Sequence, residues 1–280
     1  MKTKLFAILF AFATIVSFSQ DFSGKAIYKT SRKSNFKIGG DSKLTDQQKE
    51  QLQARFQKMN QKTFILNFDK YTSTYKQDVK LKAPKPNVGG ANVMMMSFGG
   101  SGEGSIYYKN IKEDRFTNQT EIMSKRFLVK DSLPNYKWEM SSESKNIGNY
   151  TCYKASFTRD VENVRVSIVN GESKEVKETV SVTTTAWYTP QIPISNGPDD
   201  YQGLPGLILE INDGTTTIVC TEIVLNPSDK IKINEPEKGA VVNQTEYDEI
   251  SRKKSKEMME RFKSRNGVDM GNGINIKIGG

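Results

Sequence analysis

The chain reads as a mainly β protein: a curved antiparallel meander sheet or half-open barrel, with one inserted helix and one C-terminal helix. Three observations predict this. Short segments rich in Val, Ile, Thr, Tyr and Phe alternate apolar and polar residues along most of the chain, the period of half-buried strands. Turn pairs separate them, most strongly Asn170-Gly171 and Asp213-Gly214, which are dipeptides of tight hairpins. The connections between strands are local, so neighbours in sequence are expected to pair in space.

The elements follow in order. Gly24 to Arg32 is the first strand. Thr45 and Gln48 form a capping box, and Leu52, Phe56 and Met59 recur on one face, predicting a helix over 45–61. Strands are expected at 62–69 and 71–79. A long irregular loop over 82–105 follows, marked by Pro84, Pro86 and Met94-Met95-Met96. Further strands are read at 105–112, 115–119, 121–130 and 136–140. The stretch 145–158 holds a turn pair at Gly148-Asn149. Strands at 164–169, 176–188, 207–212 and 215–225 complete the sheet. Thr245 and Asp248 frame the start of a second helix, with Tyr247, Ile250, Met258 and Phe262 on its apolar side. The Gly/Asn-rich tail 266–280 is expected to lack fixed structure.

The N-terminus sets the expected compartment. Lys2 and Lys4 precede an apolar run from Leu5 to Val16, and Ser17-Phe18-Ser19 supplies small residues for cleavage. Residues 1–19 therefore read as a signal peptide, followed by a single domain over 20–265. The expected location is the periplasm or the outer membrane. No cysteine follows the apolar run, so no lipoprotein anchor is expected, and no later segment is apolar enough to span a bilayer as a helix. Removing Lys2 and Lys4 lowers the formal charge of +9 by two. The remaining lysines are scattered, which indicates a solvated surface, and no nucleic-acid recognition motif is present.

The chain has no histidine. That removes Ser-His-Asp triads, Cys-His dyads and His-ligated zinc from consideration. Neither a cofactor nor a metal is expected, and the chain is read as non-enzymatic. A soft-metal role for Met94–Met96 toward Cu(I) is a lesser alternative. Cys152 and Cys220 lie in strand-like segments of an exported chain, which leaves a disulfide and two separate buried thiols as alternatives.

One segment stands apart. Ala186 to Asp213 carries Trp187-Tyr188-Thr189, Ile192-Pro193-Ile194-Ser195, Gly197-Pro198 and the hexapeptide Gly203-Leu204-Pro205-Gly206-Leu207-Ile208. Tyr150 to Ala155 (YTCYKA) lies upstream. In these motifs, over roughly residues 20–265, the chain resembles the GLPGLI family of exported Bacteroidetes proteins. The resemblance implies the compartment and the fold. The family has no assigned enzymatic function, and its genes often neighbour outer-membrane receptor-type proteins, which implies an envelope partner. Asp199-Asp200 departs from the family pattern, where an aromatic residue is frequent.

The residue types of this segment give it a physical role. Pro190, Pro193 and Pro198 exclude helix and central strand, so a rigid loop leaves one strand and re-enters the sheet at Leu207. One reading makes the hexapeptide a plug for the end of an open barrel. The other makes the loop a binding lip, with Trp187, Tyr188, Asp199, Asp200, Tyr201 and Leu204 at or beneath its rim. The expected function is a binding or carrier module for a hydrophobic ligand or an outer-membrane protein partner. The alternative is a carboxylate-dependent hydrolase using Asp199 and Asp200. Adjacent residues on an extended chain point apart, which counts against that pair.

Overall fold

The computed structural model describes residues 22–33, 47, 61–79, 104–169, 172–266 and 276–278. The segments expected to form a signal peptide (1–19), most of the inserted helix (45–61) and nearly all of the 82–105 loop, with Met94–Met96, lie outside the described residues. The mainly β expectation holds. Among the described residues, thirteen strands form one open sheet: β1 Ser23–Arg32, β2 Gln61–Asp69, β3 Thr72–Gln77, β4 Ile106–Asn110, β5 Arg115–Ile122, β6 Lys125–Ser132, β7 Glu139–Ile147, β8 Tyr150–Val169, β9 Glu172–Thr189, β10 Leu207–Asn212, β11 Thr216–Leu225, β12 Ala240–Val242 and β13 Ile276–Ile278. The helix α1 spans Gln244–Asn266.

The sheet order is β12-β6-β5-β4-β3-β2-β1-β11-β10-β9-β8-β13, with β7 also on β8. Two next-to-next meanders, β1–β6 and β7–β11, are thus joined through the long-range pairing of β1 with β11. The pairing of β12 with β6 is parallel. Together with the long-range pairing of β13 with β8, these are the exceptions to the local antiparallel pattern. One core draws Tyr28, Leu66, Phe68, Tyr107 and Val129 from the first meander, and Ala155, Tyr188, Leu207, Leu209 and Ile211 from the second. The sheet curls to bring both sets onto one concave side.

Local chemistry explains the elements and the differences from the sequence reading. In β2, Phe64, Leu66 and Phe68 are buried and the residues between them are not, the pleat alternation that periodicity predicts. The Asp213-Gly214 hairpin is present: Gly214 has φ 85°, and Asp213 Oδ1 accepts from the N–H of Thr215 and Thr216. The segments read as 145–158 and 164–169 are divided differently, because β8 runs unbroken to Val169. Its register with β9, ending at Val169↔Glu172, leaves two residues between the strands. The β5–β6 turn falls at Met123-Ser124, both at positive φ (49° and 67°). Such a turn ordinarily carries Asn or Gly, so the dipeptide gave no signal.

Three further expectations are corrected. No strand covers 136–138: residues 133–138 form a strap that crosses from β6 to β7, at opposite ends of the sheet order. The helix α1 is capped by Asn243 and Glu246, which exchange side chain–backbone hydrogen bonds of 2.9 Å in both directions. This capping box begins two residues before Thr245. Tyr247 then packs edge-on against Phe127 of β6 at 5.8 Å. In the tail expected to lack structure, Ile276–Ile278 pairs with Val164–Val166 of β8.

Candidate functional site

The loop between β9 and β10, residues 190–206, folds back into the concave side. Its path is set by short-range bonds: Ile194 N–H donates to Ile192 O and Asn196 N–H to Ile194 O, and the loop is tied to β10 by Leu207 N–H to Ile192 O and Ile208 N–H to Asn196 O. Successive i to i+2 bonds are the inverse γ-turns of a tightly wound extended chain. Ile192, Ile194, Leu204, Leu207 and Ile208 are buried. The apolar side chains of the hexapeptide, Leu204, Leu207 and Ile208, are therefore part of the core.

A residue that sequence reasoning missed lies beneath this loop. Lys109, near the C-terminal end of β4, is fully buried. Its Nζ donates to Gly197 O at 2.8 Å and to Tyr201 O at 3.0 Å. These carbonyls flank a tight turn in which Tyr201 N–H donates to Pro198 O and Asp199 adopts φ 52°. Burial lowers the Lys109 amine to about 7, against the opposing pull of Asp200 and Asp199. Burial and the charge of Asp200 raise the Asp199 carboxyl to about 7, with Lys109 acting the other way. The only sequence signal was a lysine within the aromatic strand IYYKN.

Within this turn the two acidic residues meet different neighbours. Asp199 borders a pocket of about 10 Å³ lined by Phe64, Tyr75, Ser105, Tyr107 and Asn118, the scale of a single water. Asp200 Oδ2 accepts from Tyr136 Oη at 2.6 Å, on the strap side. Burial, with Asp200 nearby, holds the Tyr136 and Tyr201 hydroxyls well above their ordinary value.

The strap and the loop together build a second feature. Tyr136 stacks on Tyr201 at 5.5 Å and lies 4.7 Å from Phe157. Trp138 Nε1 donates to Gln202 O at 2.8 Å, and Gln202 Nε2 donates to Pro134 O at 2.8 Å. Between these locked walls opens a cleft of about 320 Å³, lined by Asp114, Leu133, Pro134, Asn135, Tyr136, Gln202 and Gly203.

The predicted rim is thus split. Asp199, Asp200 and Tyr201 gather around Lys109 and Tyr136. Leu204 is core. Trp187 is half-buried on β9 with Lys145 Nζ 4.4 Å over its ring, and Lys145 also pairs with Glu210 at 2.7 Å. Tyr188 is buried, its hydroxyl 3.6 Å from Met140 Sδ. Cys152 and Cys220 are buried free thiols, donating to Tyr150 O and Glu222 O. Burial pushes them up to about 11 and about 12.

Residues 138–210, from the strap's tryptophan to the middle of β10, match a family model described as a protein of unknown function, Porph_ging. No curated protein matches the chain. Among solved structures, PNGF-II in its C2 and P21 crystal forms gives a TM-score of 0.46 with 12% and 13% identity, over 83% of this chain. This chain spans 33% of the PNGF-II chain. No helix among the described residues is long and apolar enough to cross a membrane, and none of their acidic and cysteine side chains cluster as a metal site.

The raised carboxyl of Asp199 makes a pH prediction. A folded-state value of about 7 against 3.8 means that the folded protein holds a proton the unfolded chain has released. The resulting stabilisation is complete below about 3.8 and is lost as pH rises through about 7. Asp199→Asn removes this dependence while keeping a residue type that tolerates positive φ. Its stability relative to the parent is expected to rise from pH 4 to pH 7 and to level off above, by urea unfolding at fixed salt. A difference that is flat over this range rules out a proton on Asp199.

Proposed function

We propose that this is an exported, non-enzymatic binding module of the cell envelope, of GLPGLI type, and that it engages a protein partner at the cleft between strap and motif loop. The observation that carries this reading is the cleft itself, whose walls are fixed by the Tyr136–Asp200, Trp138–Gln202 and Gln202–Pro134 hydrogen bonds. A preformed concavity with converging polar groups is the usual form of a binding site, and fixing it beforehand lowers the entropic cost of association. A polypeptide partner suits it better than a hydrophobic ligand: the lining is largely polar, and the motif's apolar side chains already fill the concave side of the sheet.

Native mass spectrometry of the mature protein, taken from its own envelope, tests the proposal. A bound polypeptide is expected with the parent and is expected to be lost from Asn135→Trp. That substitution fills the cleft from an exposed strap position, and its far-ultraviolet circular dichroism spectrum is expected to match the parent's. Retention of the bound mass by Asn135→Trp moves the binding surface elsewhere. A measurable hydrolytic turnover abolished by Asp199→Asn and Asp200→Asn replaces the proposal with the carboxylate hydrolase.

A further inference from the structure

The cleft's two open features are backbone groups and one acidic side chain. The strap 133–138 belongs to no strand. Leu133 N–H donates to Asp114 O and Trp138 N–H to Tyr136 O, and Pro134 O is taken by Gln202. Among the described residues, the N–H groups of Asn135, Tyr136 and Lys137 and the carbonyl of Asn135 have no protein partner. Backbone groups left unpaired beside a concavity can accept a further extended chain through main-chain hydrogen bonds.

Asp114 supplies the charge. It lines the cleft, is exposed, and adopts φ 51° at the turn into β5. Its neighbour Glu113 is paired with Arg115 at 2.6 Å, whereas Asp114 makes no ion pair among the described residues. Asp200 stands behind Tyr136 on the same side. Among the neighbouring cations, Arg115 is held by Glu113 and Glu235.

Building on the proposed binding role, we infer that the cleft takes an extended polypeptide segment bearing a cationic side chain, its main chain pairing with the strap at Asn135 and its charge facing Asp114. Main-chain pairing supplies affinity that tolerates many sequences, and the acidic end supplies the preference for Lys or Arg.

The test uses the full mature protein and three labelled dodecapeptides of alternating Thr and Ser. One has a central Lys, one a central Glu, and one the central Lys with N-methyl groups on alternate residues. Fluorescence anisotropy is expected to show binding of the Lys peptide, with the Glu and N-methylated peptides weaker by about tenfold or more. Asp114→Asn is expected to erase the Lys-over-Glu preference while the Lys peptide still binds. Asn135→Trp is expected to abolish binding of all three. Equal binding of the Lys and Glu peptides, indifference to N-methylation, or no binding by any peptide overturns the inference. If no peptide binds while an envelope-derived bound mass is still lost on Asn135→Trp, the ligand class is wrong and the cleft remains the binding surface. Peptide binding that survives Asn135→Trp sinks the cleft.

Discussion

Lys109→Ala is expected to destabilise the protein by about 4 kcal/mol in urea unfolding at pH 7. Two losses combine. Gly197 O and Tyr201 O lose their Nζ donor, and a buried acceptor left unsatisfied costs about 1–3 kcal/mol. The three methylenes beyond Cβ of a fully buried side chain, removed with the amine, also leave a cavity that the rigid sheet fills only in part. Lys109→Met separates the two, because it keeps the volume and removes only the donor. It is expected to cost about 2 kcal/mol. Replacing buried charged groups with apolar ones is often neutral or stabilising, but that result needs the partners to be replaced as well, and here both carbonyls remain.

The pH dependence of these variants checks the cause. A lysine at about 7 in the fold against 10.5 ordinarily binds fewer protons folded than unfolded. Its stabilising contribution is present above about 10.5 and is lost as pH falls through about 7. The stability of Lys109→Met relative to the parent is therefore expected to rise as pH falls from 10 to 7. If Lys109→Ala costs under about 1 kcal/mol, the loop holds its seat without the lysine.

The sheet was legible because a half-buried strand writes its pleat into the sequence. Phe64, Leu66 and Phe68 alternate as β2 requires, and Asp213-Gly214 marks its hairpin by backbone preference alone. The pairing of β1 with β11 was not legible: two strands so far apart in the chain carry no mark of adjacency. The strap was misread as a strand because Tyr136 and Trp138 are strand-type residues, but their polar tips are spent on Asp200 and on Gln202 O. The site followed the same division. The motif's rigidity could be read from its prolines; the turn that gives Asp199 and Asp200 different neighbours could not, because it sets a non-glycine residue, Asp199, at φ 52°. The role of Lys109 could not be read, because a lysine on a strand ordinarily faces water. What reverses that here is the return of a loop some ninety residues later in the chain (|i−j| of 88 to Gly197).

Gly206→Ala is expected to be severe, losing about 3 kcal/mol or more, or roughly 10 °C in Tm for a domain of this size. A methyl group at this position would lie 2.2 Å from Thr189 O, 2.6 Å from Thr189 C and 2.9 Å from Pro190 N. These are backbone atoms at the end of β9, and Thr189 is itself in register with Leu207. Relief therefore requires β9 and β10 to part where the loop begins and ends. Gly203→Ala is the control within the same hexapeptide. Gly203 has φ 96°, and its nearest neighbour would be Trp138 at 3.6 Å. That substitution meets only ordinary van der Waals contact with Trp138 and costs the left-handed backbone conformation, about 1 kcal/mol. Thermal unfolding of the two variants separates the roles of the two glycines. A clear excess for Gly206→Ala means that the second glycine exists to let the returning chain cross β9 at contact distance. That crossing lets Leu204 and Leu207 reach the core on either side of it, and it sets Ile208 O where Tyr28 Oη donates to it at 2.7 Å. Equal losses would reduce both glycines to turn formers and leave Lys109 as the main anchor of the loop.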